Sequence, residues 1–218
     1  MKTAGIIIII IILLAAGAYF LFFKKVEKKE APVEPEGILP MEGSIKKKIA
    51  MIIASKDFRD EEYFVPREIF DKAGTEVKVI SDELGTAKGA DGNDVEVDIK
   101  LSDLNVSDFD VVVFIGGPGA LTYLDNEDSY RIAKYTIAQN KILSAICISP
   151  MILAKAGVLQ GKKATVWTSA LDKSAKKILE DNGAIFQDED VVQDNNIVTA
   201  NNPSAAKKFA NKILAILK

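Results

Sequence analysis

The sequence predicts an α/β domain, a doubly wound and mostly parallel sheet with helices on both faces, preceded by an N-terminal transmembrane helix. Two patterns predict the domain. Short runs that are apolar throughout, without the alternation of a half-exposed sheet, mark strands buried on both faces. Segments with apolar residues at helical spacing separate those runs, the order expected of a parallel sheet. A third pattern predicts the span: residues 4–23 carry no charge and include seven consecutive isoleucines, Ile6 to Ile12.

About 20 apolar residues suffice for a helix to cross the hydrocarbon core. A cleaved signal peptide is the rival reading, since Lys2 gives a positive start and Ala16-Gly17-Ala18 resembles a cleavage site. The apolar run continues through Phe23, which favours a retained anchor. Lys24, Lys25, Lys28 and Lys29 outnumber Lys2 across the span, so the domain is expected on the cytoplasmic side of a single-pass protein. A short N-terminus that stays inside would place it outside. Residues 24–44 alternate Lys and Glu and contain Pro32, Pro35 and Pro40, too little apolar surface to order, and read as a tether.

The domain occupies residues 45–218. Residues 48–54 (KIAMIIA) form the first strand. A helix follows from the acidic Asp60-Glu61-Glu62, suited to a helix start, to the stop at Ala73-Gly74. Pro66 fits only near its first turn. Residues 76–80 (EVKVI) make the second strand, and residues 85–97, rich in Gly and Asp, a loop or small hairpin. Residues 111–115 (VVVFI) make the third, ending in Gly116-Gly117-Pro118-Gly119. A helix over 126–140 puts Tyr130, Ala133 and Ile137 on one face. Residues 142–146 (ILSAI) make the fourth strand, and Cys147 follows directly. Helices are expected over 149–156 and over 171–182, the latter with Leu171, Ala175, Ile178 and Leu179 on its apolar face. Short strands at 163–166, 185–186, 191–193 and 197–200 precede a closing helix carrying Ala206, Phe209, Ala210, Ile213, Leu214 and Leu217.

In such sheets ligands gather at the carboxyl ends of strands. Glu62, Gly116-Gly117 and Cys147 all follow strand ends. Cys147 stands between strand and helix, where unpaired N–H groups favour the thiolate. Its plain reading is a small buried hydrophobe. Glu62 could reach the sulfur if the first and fourth strands are neighbours, and could then shuttle a proton. Its plain reading is a solvated acid at a helix start. The glycines let backbone N–H groups approach a ligand, and with the Ile148 amide they could form an oxyanion hole, or they could be an ordinary turn.

Histidine is absent, which excludes a Cys-His dyad, a Ser-His-Asp triad within one subunit and any His-containing metal site. The single cysteine excludes an intramolecular disulfide. A net charge of −3 offers no broad basic surface for nucleic acid.

Residues 57–62 (DFRDEE) with Pro66, residues 111–120 (VVVFIGGPGA) and residues 144–165 (SAICISPMILAKAGVLQGKKAT) resemble the ThiJ/PfpI family in order and spacing. The resemblance covers nearly all of residues 46–218 and is most specific around Cys147. It implies a flavodoxin-like fold related to class I glutamine amidotransferases. It also implies Cys147 as reactive thiol on a strand-to-helix elbow, Glu62 as its partner, and an anion pocket of Gly117 and Ile148 amides supported by Gly116. Members include intracellular proteases, glyoxalase-like and deglycase-like enzymes, and chaperone or oxidative-stress proteins.

Three residues depart from the family pattern. Ile148 stands where peptidase members carry His, which argues against a peptidase and makes the parkinsonism-associated deglycase branch the better comparison. Trp167 stands where relatives place His or Tyr in the pocket, and Asn201 where they often carry Arg, so both are expected to line it. The resemblance implies a cofactor-free, cysteine-dependent enzyme acting on small reactive carbonyls such as methylglyoxal, or on modified proteins. The alternative is a non-catalytic redox-sensing or chaperone-like stress module at the membrane. Family members are commonly oligomers, so a homodimer is expected.

Overall fold

The computed structural model describes residues 46–217. The predicted span at 4–23 and tether at 24–44 lie outside those residues. Among the described residues no helix is long and apolar enough to cross a membrane.

Strand β1 (Lys48–Ile52) leads through a short β2 (Lys56–Phe58) into α1 (Asp60–Lys72). Then come β3 (Glu76–Ser81), the antiparallel hairpin of β4 (Gly85–Gly89) and β5 (Asp94–Val97), and β6 (Ile99–Lys100). Strand β7 (Val111–Phe114) is followed by α2 (Ala120–Tyr123) and α3 (Glu127–Ala138), the latter capped by the Asn126 side chain. Strand β8 (Ile142–Ile146), α4 (Pro150–Lys155), β9 (Lys163–Ala164) and α5 (Ser174–Asp181) come next. The chain ends with β10 (Ile185–Phe186), β11 (Val191–Asp194), β12 (Ile197–Ala200) and α6 (Ala206–Ile216).

The main sheet runs β11-β12-β8-β7-β1-β3-β6, parallel except where β11 pairs with β12. Counting only β1, β3, β7, β8 and β12, the spatial order is 2-1-3-4-5, the flavodoxin-like arrangement, and the order reverses between β1 and β7. Alternate residues of each strand face opposite layers. Ile49, Met51, Val111 and Val113 meet Tyr63 and Phe70 of α1 and Phe209 and Ile213 of α6. Ala50, Ile52, Val112 and Phe114 meet Ile132 of α3, Ile152 of α4 and Leu179 of α5. Both faces are therefore dry, which is why these strands carry no polar alternation.

Four details differ from the sequence reading. The first and fourth predicted strands, β1 and β8, are not neighbours, because β7 lies between them. Pro66 sits inside α1, past its first turn, and having no N–H it leaves the helix without a bond to the Glu62 carbonyl. Helix α5 begins at Ser174, and Leu171 is fully exposed before it rather than on its buried face. Ser169 and Asp172 turn the chain there by side-chain hydrogen bonds to following N–H groups, a local alternative to helix. Finally, β2 adds to the hairpin in a separate three-stranded sheet, so residues 56–58, assigned to no element from sequence, are strand.

Candidate active site

The site is built at the reversal of strand order, from the chain leaving β1, β7 and β8. After β8 the backbone turns sharply at Cys147, whose φ of 62° lies in the left-handed region. A non-glycine residue held there is strained by roughly 1–3 kcal/mol. The strain is sustained by bonds on both sides: the Cys147 N–H donates to the Ala200 carbonyl at 2.9 Å, and the Trp167 N–H donates to the Cys147 carbonyl at 2.8 Å. Ser149, fully buried, ties the start of α4 to the end of β7 through its hydroxyl, which donates to the Ile115 carbonyl at 2.8 Å.

Glu62 is fully buried, not a solvated acid at a helix start. Its Oε2 accepts a hydrogen bond from the Gly116 N–H at 3.0 Å, and Oε1 has no hydrogen-bond partner among the described residues. Although β7 separates β1 from β8, the carboxyl meets the thiol because the residue between them is Gly116. A Cβ there would stand 2.7 Å from both the Cys147 Cβ and Glu62 Oε2. The missing side chain leaves the gap across which the carboxyl faces Cys147.

Gly117 and Gly119 are there for close approach. Gly117 has a φ of 115°, and a Cβ on it would lie 2.4 Å from the Arg59 backbone nitrogen; on Gly119 it would lie 1.8 Å from the Lys56 carbonyl oxygen. The Gly-rich turn is thus seated on the chain entering α1, and the Arg59 N–H donates to the Gly116 carbonyl at 3.0 Å. Gly116 itself cannot serve an oxyanion hole, as its N–H is taken by Glu62. The amides of Gly117 and Ile148 face the sulfur instead.

Burial pushes the Glu62 carboxyl up to about 7, against the Cys147 thiol and the Gly116 N–H, which both favour its ionised form. Burial also pushes the Cys147 thiol up, and the neighbouring Glu62 charge pushes it further, outweighing the Ile148 and Gly117 amides. The sequence expectation of a thiolate favoured by the helix start is corrected in that respect. Helix α4 has only 6 residues, so its dipole is small, whereas the carboxylate is a full charge at contact. The two acids are best treated as one pair that titrates together.

A cleft of about 310 Å³ opens over the sulfur, lined by Arg59, Gly117, Pro118, Leu121, Cys147, Ile148 and Trp167. The structure therefore brings together Cys147, Glu62, Gly116, Gly117, Ile148 and Trp167. It leaves out Asn201, whose N–H donates to the Asp190 carbonyl at 3.1 Å and whose side-chain oxygen accepts from the Asn202 amide. Sequence reading missed Arg59, Pro118 and Leu121 as cleft residues. Arg59 lies within the 57–62 motif, three residues before Glu62, and that position was its available signal.

A family model described as the DJ-1/PfpI family matches residues 47–216. A Methanocaldococcus jannaschii protein is 40% identical over 78% of this chain and 82% of its own length. A deglycase of Pyrococcus horikoshii is 30% identical over 77% of this chain and 98% of its own. The crystal structure of a ThiJ/PfpI domain protein from Brachyspira murdochii superposes with a TM-score of 0.74 at 33% identity, covering 79% of this chain and 97% of that one.

Proposed function

The chain belongs to the DJ-1/PfpI family, and from that premise we propose that it is a cysteine-dependent enzyme of glyoxalase-like or deglycase-like type acting on reactive carbonyls. The observation that carries the reading is the contact of a buried carboxyl with an elbow-strained thiol across the gap left by Gly116.

As the pH rises past about 7, the pair loses its first proton. The carboxyl gives up that proton first, the thiol holds the remaining one, and its transfer to Glu62 sets up the attack. With that proton on Glu62, the sulfur is anionic beside the Gly117 and Ile148 amides, and it adds to the carbonyl carbon of a substrate seated in the cleft. The same two N–H groups, which have no backbone partner among the described residues, receive the negative charge that develops on the carbonyl oxygen. Glu62 protonates the oxyanion, and its carboxylate then moves the proton of the attacked aldehyde carbon to the neighbouring ketone carbon, leaving a thioester on Cys147; water cleaves that carbon–sulfur bond, releasing the 2-hydroxy acid and the free thiol. With no histidine in the chain, the carboxyl is the group placed to do this.

Turnover of methylglyoxal by the full chain tests the reading. It is expected to be abolished in Cys147→Ser and reduced at least tenfold in Glu62→Gln, on the scale of general acid–base contributions. Absence of turnover in the unmodified protein overturns it. A redox-sensing role then becomes the alternative, and addition of two oxygens to Cys147 under mild peroxide is its signature.

We also propose that residues 4–23 tether the protein to a membrane with the domain on the cytoplasmic side, and that it acts as a homodimer. Resistance to alkaline carbonate extraction and sedimentation of the detergent-solubilised chain test these two statements.

A further inference from the structure

Arg59 is the charged residue among the seven that line the cleft. Its guanidinium is one-third exposed, and the acid paired with it, Asp91, stands 3.7 Å away, beyond hydrogen-bond reach and itself 60% exposed. An ion pair of that kind is weak in water, and it leaves the guanidinium's five N–H donors free for another acceptor. The Arg59 backbone lies against Gly117, and both residues line the cleft over the sulfur. Arg59 is also close enough to Glu62 to lower its carboxyl. The other lining side chains, Pro118, Leu121, Ile148 and Trp167, offer no charge. Glu61, next to Asp60 on α1, is exposed and does not line the cleft.

A single under-used guanidinium in an otherwise apolar cleft is a carboxylate receptor. We propose that Arg59 is the specificity-determining residue of this site and selects small carbonyl electrophiles that carry a carboxylate. Neutral dicarbonyls are the poorer substrates. This rests on the carbonyl chemistry proposed above and adds a substrate class to it. The apolar walls take the uncharged remainder of the molecule, with Trp167 as its flat contact.

Two probes that differ by one charge test it: the methylglyoxal hemithioacetals of N-acetylcysteine and of N-acetylcysteine amide, compared at matched free methylglyoxal. The anionic probe is expected to show a kcat/KM at least about tenfold higher, the scale of hydrogen bonds to a charged group. In Arg59→Met the ratio falls to about one, through KM, and Arg59→Lys restores part of it. A ratio near one in the unmodified protein, or a ratio that Arg59→Met leaves unchanged, overturns the proposal.

If neither probe turns over, the carbonyl chemistry has failed, and binding decides the charge question separately. Trp167 is the one tryptophan of the chain, so its fluorescence reports occupancy of the cleft. Tighter binding of benzoylformate than of benzoylformamide, lost in Arg59→Met, supports the receptor. Equal binding, or no fluorescence change with either, overturns it.

Discussion

Replacing Gly116 with alanine tests the central geometric claim with one methyl group. The new Cβ would stand 2.7 Å from the Cys147 Cβ, 2.7 Å from Glu62 Oε2 and 2.8 Å from the Ile146 carbonyl oxygen. Ordinary carbon contacts lie near 3.5–4.0 Å, so the neighbours must give by about 1 Å. Two of the three are held by the β8 backbone and the elbow, which leaves the Glu62 carboxyl as the group that yields. Overpacking of this kind destabilises by about 1–3 kcal/mol. For a domain of this size that lowers Tm by roughly 2–12 °C. Because Glu62 moves away from the sulfur, one cause of the raised thiol pKa weakens, and the pH at which the thiol ionises falls. Thermal unfolding gives the first quantity, and the pH dependence of iodoacetamide alkylation gives the second. Alkylation is unambiguous because Cys147 is the single cysteine. A variant that unfolds at the same temperature and alkylates with the same pH profile would refute the claim that the two acids meet through this gap.

Glu62→Gln gives a prediction with a defined sign. A carboxyl raised from 4.5 to about 7 in the folded state takes up protons on folding, so stability falls as pH rises through that window. The difference is on the order of 3 kcal/mol between its ends, and denaturant titrations at pH 4.5 and pH 7.5 should show it shrink in Glu62→Gln. Asp60 behaves oppositely: burial raises its carboxyl, but N–H groups of Asp91 and Asn93 and the Asn93 side chain hold it below the usual value. Asp60→Ala removes those acceptors from the hairpin turn against α1 and should lower stability by about 1–3 kcal/mol, more at pH 7 than at pH 3, measured in urea.

The parallel sheet was legible because burial on both faces leaves its mark on every residue of a strand: residues 111–115 and 142–146 could hardly be anything else. The α3 start was legible at Asn126, a residue type that suits a helix start and whose side-chain oxygen accepts from the Ser129 N–H. Leu171 was misread because helical spacing in sequence does not register a Ser169–Asp172 turn that diverts the chain before the helix starts. Asn201 was placed in the cleft by analogy of position, whereas its side chain engages Asn202 and its N–H the β11 side of the sheet.

The sequence by itself determined the strands and their burial, which follow from local residue type and periodicity, and it offered Cys147 and Glu62 as candidates that the family resemblance singled out. Only the tertiary structure decided that the carboxyl reaches Cys147, because that depends on strand order: β7 intervenes, and the approach is open only where Gly116, two residues past its end, has no side chain. It also decided the direction of the thiol pKa and the presence of Arg59 in the cleft. Burial and the distance between charges arise from residues far apart along the chain, and no local pattern encodes them.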